Sequence, residues 1–535
     1  MRYLVTGEQM KEVDRYTIES IGIPSMVLME RAAMAVAREA EKLVKKTDNI
    51  WAVCGIGNNG ADAAAAARML ALKGYQVTIL TVGNLERGTE EFHTQLKIGD
   101  RLGLSRVEWK DFIPGKCSLI IDGVFGVGLT RAVEGEYREI LDTLGAMDQA
   151  AVVAVDIPSG IHSATGQVMG TALRADVTVT FGCQKLGTAL YPGREYSGKV
   201  VIEDIGFPDI SYERIRPFAW TLGREELAGL PARPAYSNKG TFGKVLVIAG
   251  SGGMSGAAYL AALAAYRMGA GLVKIMTVEE NRPVLQQQLP EAIITTYRPQ
   301  ELSGESLGQD TVFPGSREAG AKDPDDGSKG KISDAWEKRM ERECAWADVI
   351  AAGPGLGREP YVELLIRSVL TSAYVPIVLD ADGLNAIADH PYLEQYYTEN
   401  IVITPHLGEM ARLTGKTIGE IQKSVLRTAM DYSVRHGIVC VLKDAATVVA
   451  NREGQCYVNT SGNSCMAKAG SGDVLTGTVA GLLAQKLEPF DGAVTAVHVH
   501  GLAGDRYRKD HGSGSMLAGE LAGKLGEVAK EAEER

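Results

Sequence analysis

Short apolar runs that break off into glycine-rich turns recur from one end of this chain to the other. Ile50-Trp51-Ala52-Val53-Cys54 runs into Gly55-Ile56-Gly57-Asn58-Asn59-Gly60, and Gly243 to Ala249 runs into Gly250-Ser251-Gly252-Gly253. A helical stretch rich in small residues follows each, to about Lys73 and to Met268. An apolar run too short for a core helix, a tight loop and then a helical period is the strand–loop–helix unit of a parallel sheet. Repeated, it demands right-handed crossovers with helices on both faces, an α/β doubly wound architecture. The 62 glycines fall mostly in these clusters. Ligands bind such sheets outside the carboxyl ends of the strands, so the loops there are where function is read.

A chain of 535 residues exceeds one ordinary core, so two or three domains are expected. Hydrophobic content of 45% and charged content of 23% are those of a soluble globular protein. The net charge of −11, with acids and bases interspersed, disfavours nucleic acid or an anionic membrane as partner. Seven scattered cysteines without CxxC spacing read as reduced thiols. There is no secretory pattern at the N-terminus and no apolar run of membrane-spanning length, so a cytoplasmic protein is expected. The stretch Phe207 to Asn238, with Pro217, Pro231 and Pro234, sets a boundary near residue 220 and domains at 1–218 and 225–535. A polar segment at about 301–342 reads as an inserted surface loop with a short helix near Trp336.

In the first half, Met10 to Leu43 carries two helical stretches parted by Pro24, and strands follow at 50–54, 76–82, 118–121, 151–155, 177–181 and 200–203. Gly55 to Gly60 is formally the dinucleotide fingerprint G-x-G-x-x-G. That motif also needs an acid at the end of the second strand, where this chain has Thr81-Val82-Gly83-Asn84, which disfavours an NAD-dependent dehydrogenase. Acids stand at two other strand ends: Asp122, followed by Gly123, Gly126 and Gly128, and Asp156, followed by Pro158, Ser159 and Gly160. Either alone is as readily a loop organiser; two of them with Asn58 and Asn59 favour a polar pocket. Asn and Asp oxygens with loop carbonyls suit an alkali or alkaline-earth cation rather than zinc.

Gly57-Asn58-Asn59-Gly60-Ala61-Asp62, Asp122 to Leu129, Asp156 to Gly160 and Lys185-Leu186-Gly187 together resemble NAD(P)H-hydrate epimerase, the domain also met in apolipoprotein A-I-binding proteins. The resemblance implies a Rossmann-like three-layer sandwich and a potassium ion near Asn59, Asp122 and Ser159. It implies that hydrated nicotinamide nucleotides, NADHX and NADPHX, are bound by Asn58, Asn59, Gly60, Ala61 and Asp62. It extends that site to Gly126, Val127, Gly128, Leu129, Thr130, Arg131, Ala132 and Asp156, with Asp156 handling the proton at the epimerised carbon. The family reads Gly-Gly-Asp-Gly where this chain has Gly60-Ala61-Asp62-Ala63. The two added Cβ atoms either crowd a loop that approaches a ligand or favour the helix.

In the second half, Gly250 to Gly253 lacks Walker A spacing and its Lys-Ser/Thr, which excludes a P-loop NTPase. Gly470-Ser471-Gly472-Asp473 leads into an apolar run, a tight loop opening a helix whose free N–H groups favour phosphate. Asp473 would repel a phosphate, so it is a helix cap, or a base acting on a hydroxyl beside the phosphate, or both. His406, after Thr404-Pro405, either meets a ligand or is merely exposed. Lys443 and Thr447, across a hairpin, either hold a nucleotide phosphate or are ordinary solvated side chains.

Lys239 to Lys244, Gly353 to Gly357, Thr404 to Glu409 and Gly470 to Gly477 resemble the ADP-dependent NAD(P)H-hydrate dehydratase of the ribokinase-like superfamily. The resemblance implies ADP as co-substrate, with Mg²⁺, on Lys443, Asp444, Ala445, Ala446, Thr447 and Gly472. It puts the hydrate near Ala257, Gly355, His406 and Asp473. Cys465 and Lys468 depart from the family's glycine and small hydroxyl residue beside the nucleotide loop. The whole is expected to repair damaged nicotinamide cofactors by two activities: epimerisation, then dehydration of the S form with ADP converted to AMP and phosphate. The alternative is a ribokinase-like kinase of a small alcohol with a non-catalytic binding module in front. A homo-oligomer is the expected assembly.

Overall fold

The computed structural model describes residues 2–223, 226–227, 229–303 and 332–534. The expected polar insertion falls largely outside the described residues; at its far flank a helix spans Asp334–Trp346, with Trp336 buried and its indole N–H bonded to Ser368 Oγ at 3.1 Å. Two compact units are present, Met1–Thr221 and Leu222–Arg535. Among the described residues no helix is long and apolar enough to cross a membrane.

The first unit is built on a seven-stranded, all-parallel sheet. Its order across the sheet is Ser105–Glu108, Gln76–Thr81, Asn49–Cys54, Leu119–Gly123, Ala151–Val155, Val177–Phe181 and Lys199–Glu203. Alternate strand residues point to opposite faces, and here they feed two separate cores. Ile50, Ala52 and Cys54 join the alanine-rich helix Asn58–Leu72 and the helix Ser25–Glu41, whereas Trp51 and Val53 join Ile140, Leu141 and Leu144 of the helix Glu136–Gly145. The result is a three-layer Rossmann-like sandwich. Strand direction of build-out reverses between Asn49–Cys54 and Leu119–Gly123, which opens a crevice at the loops carrying Asn58 and Asp122. A short accessory ladder pairs Arg2–Val5 with Ala219–Thr221 and with Gln184–Lys185, so Lys185 lies opposite Val5.

The second unit repeats the logic. Ile293–Tyr297, Leu272–Val278, Lys244–Ile248, Val349–Ala352, Ile377–Leu379, Ile401–Ile403 and Val439–Leu442 run parallel in that order, and Val448–Ala450 and Cys456–Val458 close the edge antiparallel. Its reversal lies between Lys244–Ile248 and Val349–Ala352, where Gly250 N–H donates to the Pro354 carbonyl at 2.9 Å. The glycine-loop helix Ser471–Leu483 lies against the helix Ser255–Arg267 at backbone distance: a Cβ on Gly477 would sit 2.0 Å from the Ala261 carbonyl oxygen. Small residues on both helices make that approach possible.

Candidate active sites at the carboxyl ends of the two sheets

In the first unit, Gly55 and Gly60 serve packing. A Cβ on Gly60 would lie 1.7 Å from the Gly55 carbonyl oxygen, and one on Gly55 would lie 2.1 Å from that of Val124. The middle glycine, Gly57, faces open space. Beyond it begins the helix Asn58–Leu72, and Ala61 and Ala63 on that helix are fully buried in the hydrophobic core. Of the two readings of these alanines the helical one holds: both lie on the helix with their Cβ atoms turned into the core.

Asp122 is fully buried. Its carboxylate accepts from Ser159 N (2.8 Å), Ser159 Oγ (2.5 Å) and Val124 N (3.3 Å). Burial raises its proton affinity, and the Ser159 hydrogen bonds pull it partly back. Asn59 Nδ2 donates to the Phe125 carbonyl at 3.1 Å, and Phe125 N–H donates to Ser159 Oγ at 2.8 Å. Asn59, Asp122 and Ser159 thus meet in one oxygen-rich knot.

A cavity of about 140 Å³ lies nearby, lined by Asp14, Asn58, Asp62, Val127, Asp156 and Lys185 among others. Asp156 sits just past its strand in the left-handed region (φ 64°), a conformation that costs a non-glycine residue and gathers at functional positions. Its Oδ1 accepts from Lys185 Nζ at 2.5 Å and from Thr180 Oγ1 at 2.9 Å. Lys185 is buried and also donates to the Phe181 carbonyl at 3.0 Å. Burial, with the charges of Asp156 and Asp14, pushes the Asp62 carboxyl far up; burial and Asp156 also raise Asp14. Gly128, Thr130, Arg131 and Ala132 lie exposed and Leu129 is buried; none of the five lines this cavity.

In the second unit, Gly470 takes the left-handed conformation (φ 89°) and is the cap position of the helix Ser471–Leu483; no side chain caps that helix. The cap reading of Asp473 is therefore corrected. Asp473 lies in the first turn, and its carboxylate accepts no hydrogen bond among the described residues. Burial first, then the charges of Asp380 and Asp382 against the opposing pull of Lys443, push its carboxyl up to about 7. The hairpin of Val439–Leu442 and Val448–Ala450 presents residues 443–447 at its turn. Lys443 is not solvated as an ordinary surface lysine would be: its Nζ lies 2.6 Å from Asp380 Oδ1. Burial disfavours its charge, but Asp380, Glu409 and Asp473 together hold it protonated above the usual lysine range. Asp444 and Ala445 are exposed, Ala446 is buried and Thr447 lies between.

His406 turns out to be a cap. Its Nδ1 accepts from Gly408 N (2.9 Å) and Glu409 N (3.3 Å), which assigns the ring hydrogen to Nε2. Burial and Lys443 lower its basicity; its Nε2 lies 3.3 Å from Glu409 Oε1, and the side chain stays 56% exposed. Lys443 N–H donates to the Pro405 carbonyl at 2.8 Å, which brings His406 and Lys443 together. Ala257 and Gly355 also meet, a Cβ on Gly355 falling 2.9 Å from that of Ala257. Cys465 is buried in the core and Lys468 is exposed, its carbonyl accepting from Ser471 N at 3.3 Å.

Two family profiles match the chain: one described as NAD(P)H-hydrate dehydratase over residues 245–526, the other as YjeF-related protein N-terminus over residues 25–187. The bifunctional NAD(P)H-hydrate repair enzyme Nnr of Moorella thermoacetica is 35% identical, across 99% of this chain and 97% of its own length. This chain belongs to that family, the bifunctional NAD(P)H-hydrate repair enzymes. Its counterpart from Thermofilum pendens is 34% identical over 95% of this chain and 93% of its own. A solved ADP/ATP-dependent NAD(P)H-hydrate dehydratase from Bacillus subtilis, co-crystallised with ATP and Mg²⁺, is 32% identical with a TM-score of 0.46, covering 58% of this chain and 97% of its own.

Within this repair enzyme, sequence reasoning passed over several residues that the fold brings to the two sites. Lys185 was visible only as part of a matching motif, and Asp14 lies on the helix Gly7–Tyr16 with no local signal. Asp380 and Asp382 stood in a strand-end loop without a role; the residue between them, Ala381, has φ 49°, and Asp382 Oδ2 accepts from Gly357 N at 2.8 Å. His500 is wholly internal: its Nε2 meets the Ser471 carbonyl at 3.1 Å, and burial drives it down to about 4, so it is neutral at pH 7.

Proposed function

We propose that the first unit, residues 1–218, interconverts the R and S forms of NADHX and NADPHX, and that the second, residues 225–535, dehydrates the S form with ADP, releasing AMP and phosphate. The observation that carries this reading is Asp473: a carboxyl poised at about 7 and without a hydrogen bond, in the first turn of a helix behind a glycine loop and beside a half-buried lysine. A base so tuned works best near neutral pH.

Water added across the nicotinamide ring leaves a hydroxyl on a saturated carbon, a poor leaving group. Asp473 takes the hydroxyl proton while that oxygen attacks the β-phosphorus of ADP. The new P–O bond forms, the bond from the β-phosphorus to the bridging oxygen breaks, and AMP departs. The ring nitrogen's lone pair then expels inorganic phosphate, and loss of a ring proton restores the reduced cofactor. The N–H groups of Gly472 and Asp473 have no partner within the first helical turn, and with the Lys443 ammonium they meet the charge on the transferring group. Mg²⁺ fits as an ion carried mainly by the nucleotide phosphates, because both oxygens of the neighbouring Asp380 are already engaged.

In the first unit Asp156 handles the proton at the epimerised carbon, its carboxylate fixed by Lys185, and Asp62, whose proton affinity burial raises, lines the same cavity. The donor set of Asn59, Ser159, the Phe125 carbonyl and a buried Asp122 with no basic partner among the described residues fits a potassium ion. Such an ion would balance Asp122 and stiffen the loop after it.

The test is a coupled assay of the hydrates with ADP and with ATP. Asp473→Asn is expected to abolish nucleotide-dependent recovery of NADH absorbance in a folded protein. Near-normal turnover in that variant, or phosphorylation of a small alcohol by a wild type inert towards the hydrate, overturns the reading.

A further inference from the structure

One carboxylate in the second unit joins segments from three separate elements. Asp380 follows the strand Ile377–Leu379, is 1% exposed, and has both oxygens engaged inside the protein. Oδ1 accepts from Lys443 Nζ at 2.6 Å, and Oδ2 accepts from Thr476 Oγ1 at 2.7 Å. Lys443 opens the hairpin turn, and Thr476 stands one helical turn beyond Gly472, whose carbonyl also accepts from the Thr476 hydroxyl at 3.2 Å. Between them Gly472 leaves room: a Cβ there would lie 3.4 Å from Lys443 Nζ and 3.9 Å from Asp380 Oδ2. The loop of Asp380 is itself pinned, since a Cβ on Gly353 would strike the Asp380 carbonyl oxygen at 1.9 Å.

Resting on the reading of this unit as a nucleotide-dependent dehydratase, we propose that Asp380 is the positioning residue of the nucleotide cradle. It holds the Lys443 ammonium in register with the glycine loop, so that lysine, loop N–H groups and Asp473 converge on one phosphate. A buried ammonium without a partner would swing toward any available oxygen, and a buried carboxylate without one would be too costly to keep. The buried Asp380 and the half-buried Lys443 satisfy each other, and the Thr476 hydrogen bond ties the pair to the helix that carries Asp473.

Asp380 also acts on Asp473 through charge. The charged groups acting on Asp473 are Asp380 and Asp382 from one loop and Lys443 from the hairpin; His500, from the helix Pro489–His511, is neutral and spends its Nε2 on the Ser471 carbonyl. Removing the Asp380 charge takes away a like charge and leaves Lys443 unopposed, and both changes favour an ionised Asp473. The acid limb of the pH profile must then move to lower pH, and the shift is read against Thr476→Val, which loosens the clamp but keeps the Asp380 charge in place.

The experiment uses the full chain. In Asp380→Asn, kcat/KM for ADP is expected to fall about tenfold to a hundredfold, the worth of one hydrogen bond to a charged group, while the acid limb of kcat moves to lower pH. Asp380→Glu returns the acid limb toward wild type. Thr476→Val, which keeps the Lys443–Asp380 pair, loses several-fold in kcat/KM with the acid limb unmoved, and serves where the Asn variant does not fold. An unmoved acid limb and unchanged kcat/KM in folded Asp380→Asn, or unchanged kcat/KM in Thr476→Val, overturns the proposal. If wild type shows no ADP-dependent dehydration, the functional reading fails separately. Calorimetric binding of ADP then decides for the clamp if Asp380→Asn binds more weakly, and against it if the two bind alike.

Discussion

Asp473 occupies the first turn of a helix whose start is formed by glycine, which leaves its carboxyl free of capping duty and open to a substrate. Its carboxyl titrates at about 7 instead of in the ordinary carboxylate range near 3.8. As a base it works deprotonated, so kcat for dehydration is expected to rise with pH through about 7 and to level off above it, read from a pH–rate profile at saturating ADP. The same shift has a cost to the fold, with the opposite sign. A carboxyl raised in the folded state contributes stability below its unfolded value that is lost as pH rises through the folded one. Asp473→Asn is therefore expected to melt higher than wild type at pH 8, with the difference shrinking toward pH 4. Thermal unfolding followed by circular dichroism at the two pH values checks both the sign and the window.

The element that aims this residue is the helix Ser471–Leu483, and its position is set by glycines on its inner face. Gly477 and Gly481 let the helix touch the backbone of Ser255–Arg267, with Cβ positions 2.0 Å from the Ala261 carbonyl oxygen and 2.7 Å from that of Ala265. A methyl group at Gly477 has no flexible neighbour to displace, so Gly477→Ala is expected to force the helices apart at a cost of about 1–3 kcal/mol. Chemical denaturation measures that loss. Gly252→Ala, which faces open space without a left-handed backbone, is the contrasting variant and should unfold at the same denaturant concentration as wild type. In the first unit Gly60 plays the part that Gly477 plays here, because its helix packs on the Gly55 carbonyl at a distance that admits no side chain.

At the scale of the whole chain, each unit has a run of parallel strands whose carboxyl edge gathers acids in or beside a strained backbone setting: Asp156 itself in the first, and Asp380 and Asp382 on either side of Ala381 in the second. Two activities in one chain predict a separable defect. Asp156→Asn is expected to leave dehydration of pure S-hydrate unchanged. With a mixture of epimers, it should clear the S share at the normal rate and leave the R share behind. Chromatography of the two epimers over the course of the reaction shows this directly; equal consumption of both by the variant would remove Asp156 from the epimerisation.

The strand–glycine loop–helix repeat determined the doubly wound architecture, because it depends only on local periodicity and on turns that few residues besides glycine can make. The strands at 151–155 and 177–181 stand where the pattern put them, and the loops bearing Asp122, Asp156, His406 and Lys443 lie at strand ends as expected. Local rules could not choose between cap and base for Asp473, since both place an acid near a helix start; in the fold the left-handed Gly470 takes the cap position, which removes the cap reading. They also left Ala61 and Ala63 open between crowding a loop and favouring the helix, because their inward direction is a matter of helical phase against a core that the sequence does not display. The partners that tune the sites were out of reach for a different reason. Lys185 meets Asp156 across 29 residues, Lys443 meets Asp380 across 63, and Thr476 meets Asp380 across 96. Such pairs exist only because parallel strands deliver their carboxyl ends to one edge, and only there does burial give them the strength to set a charge.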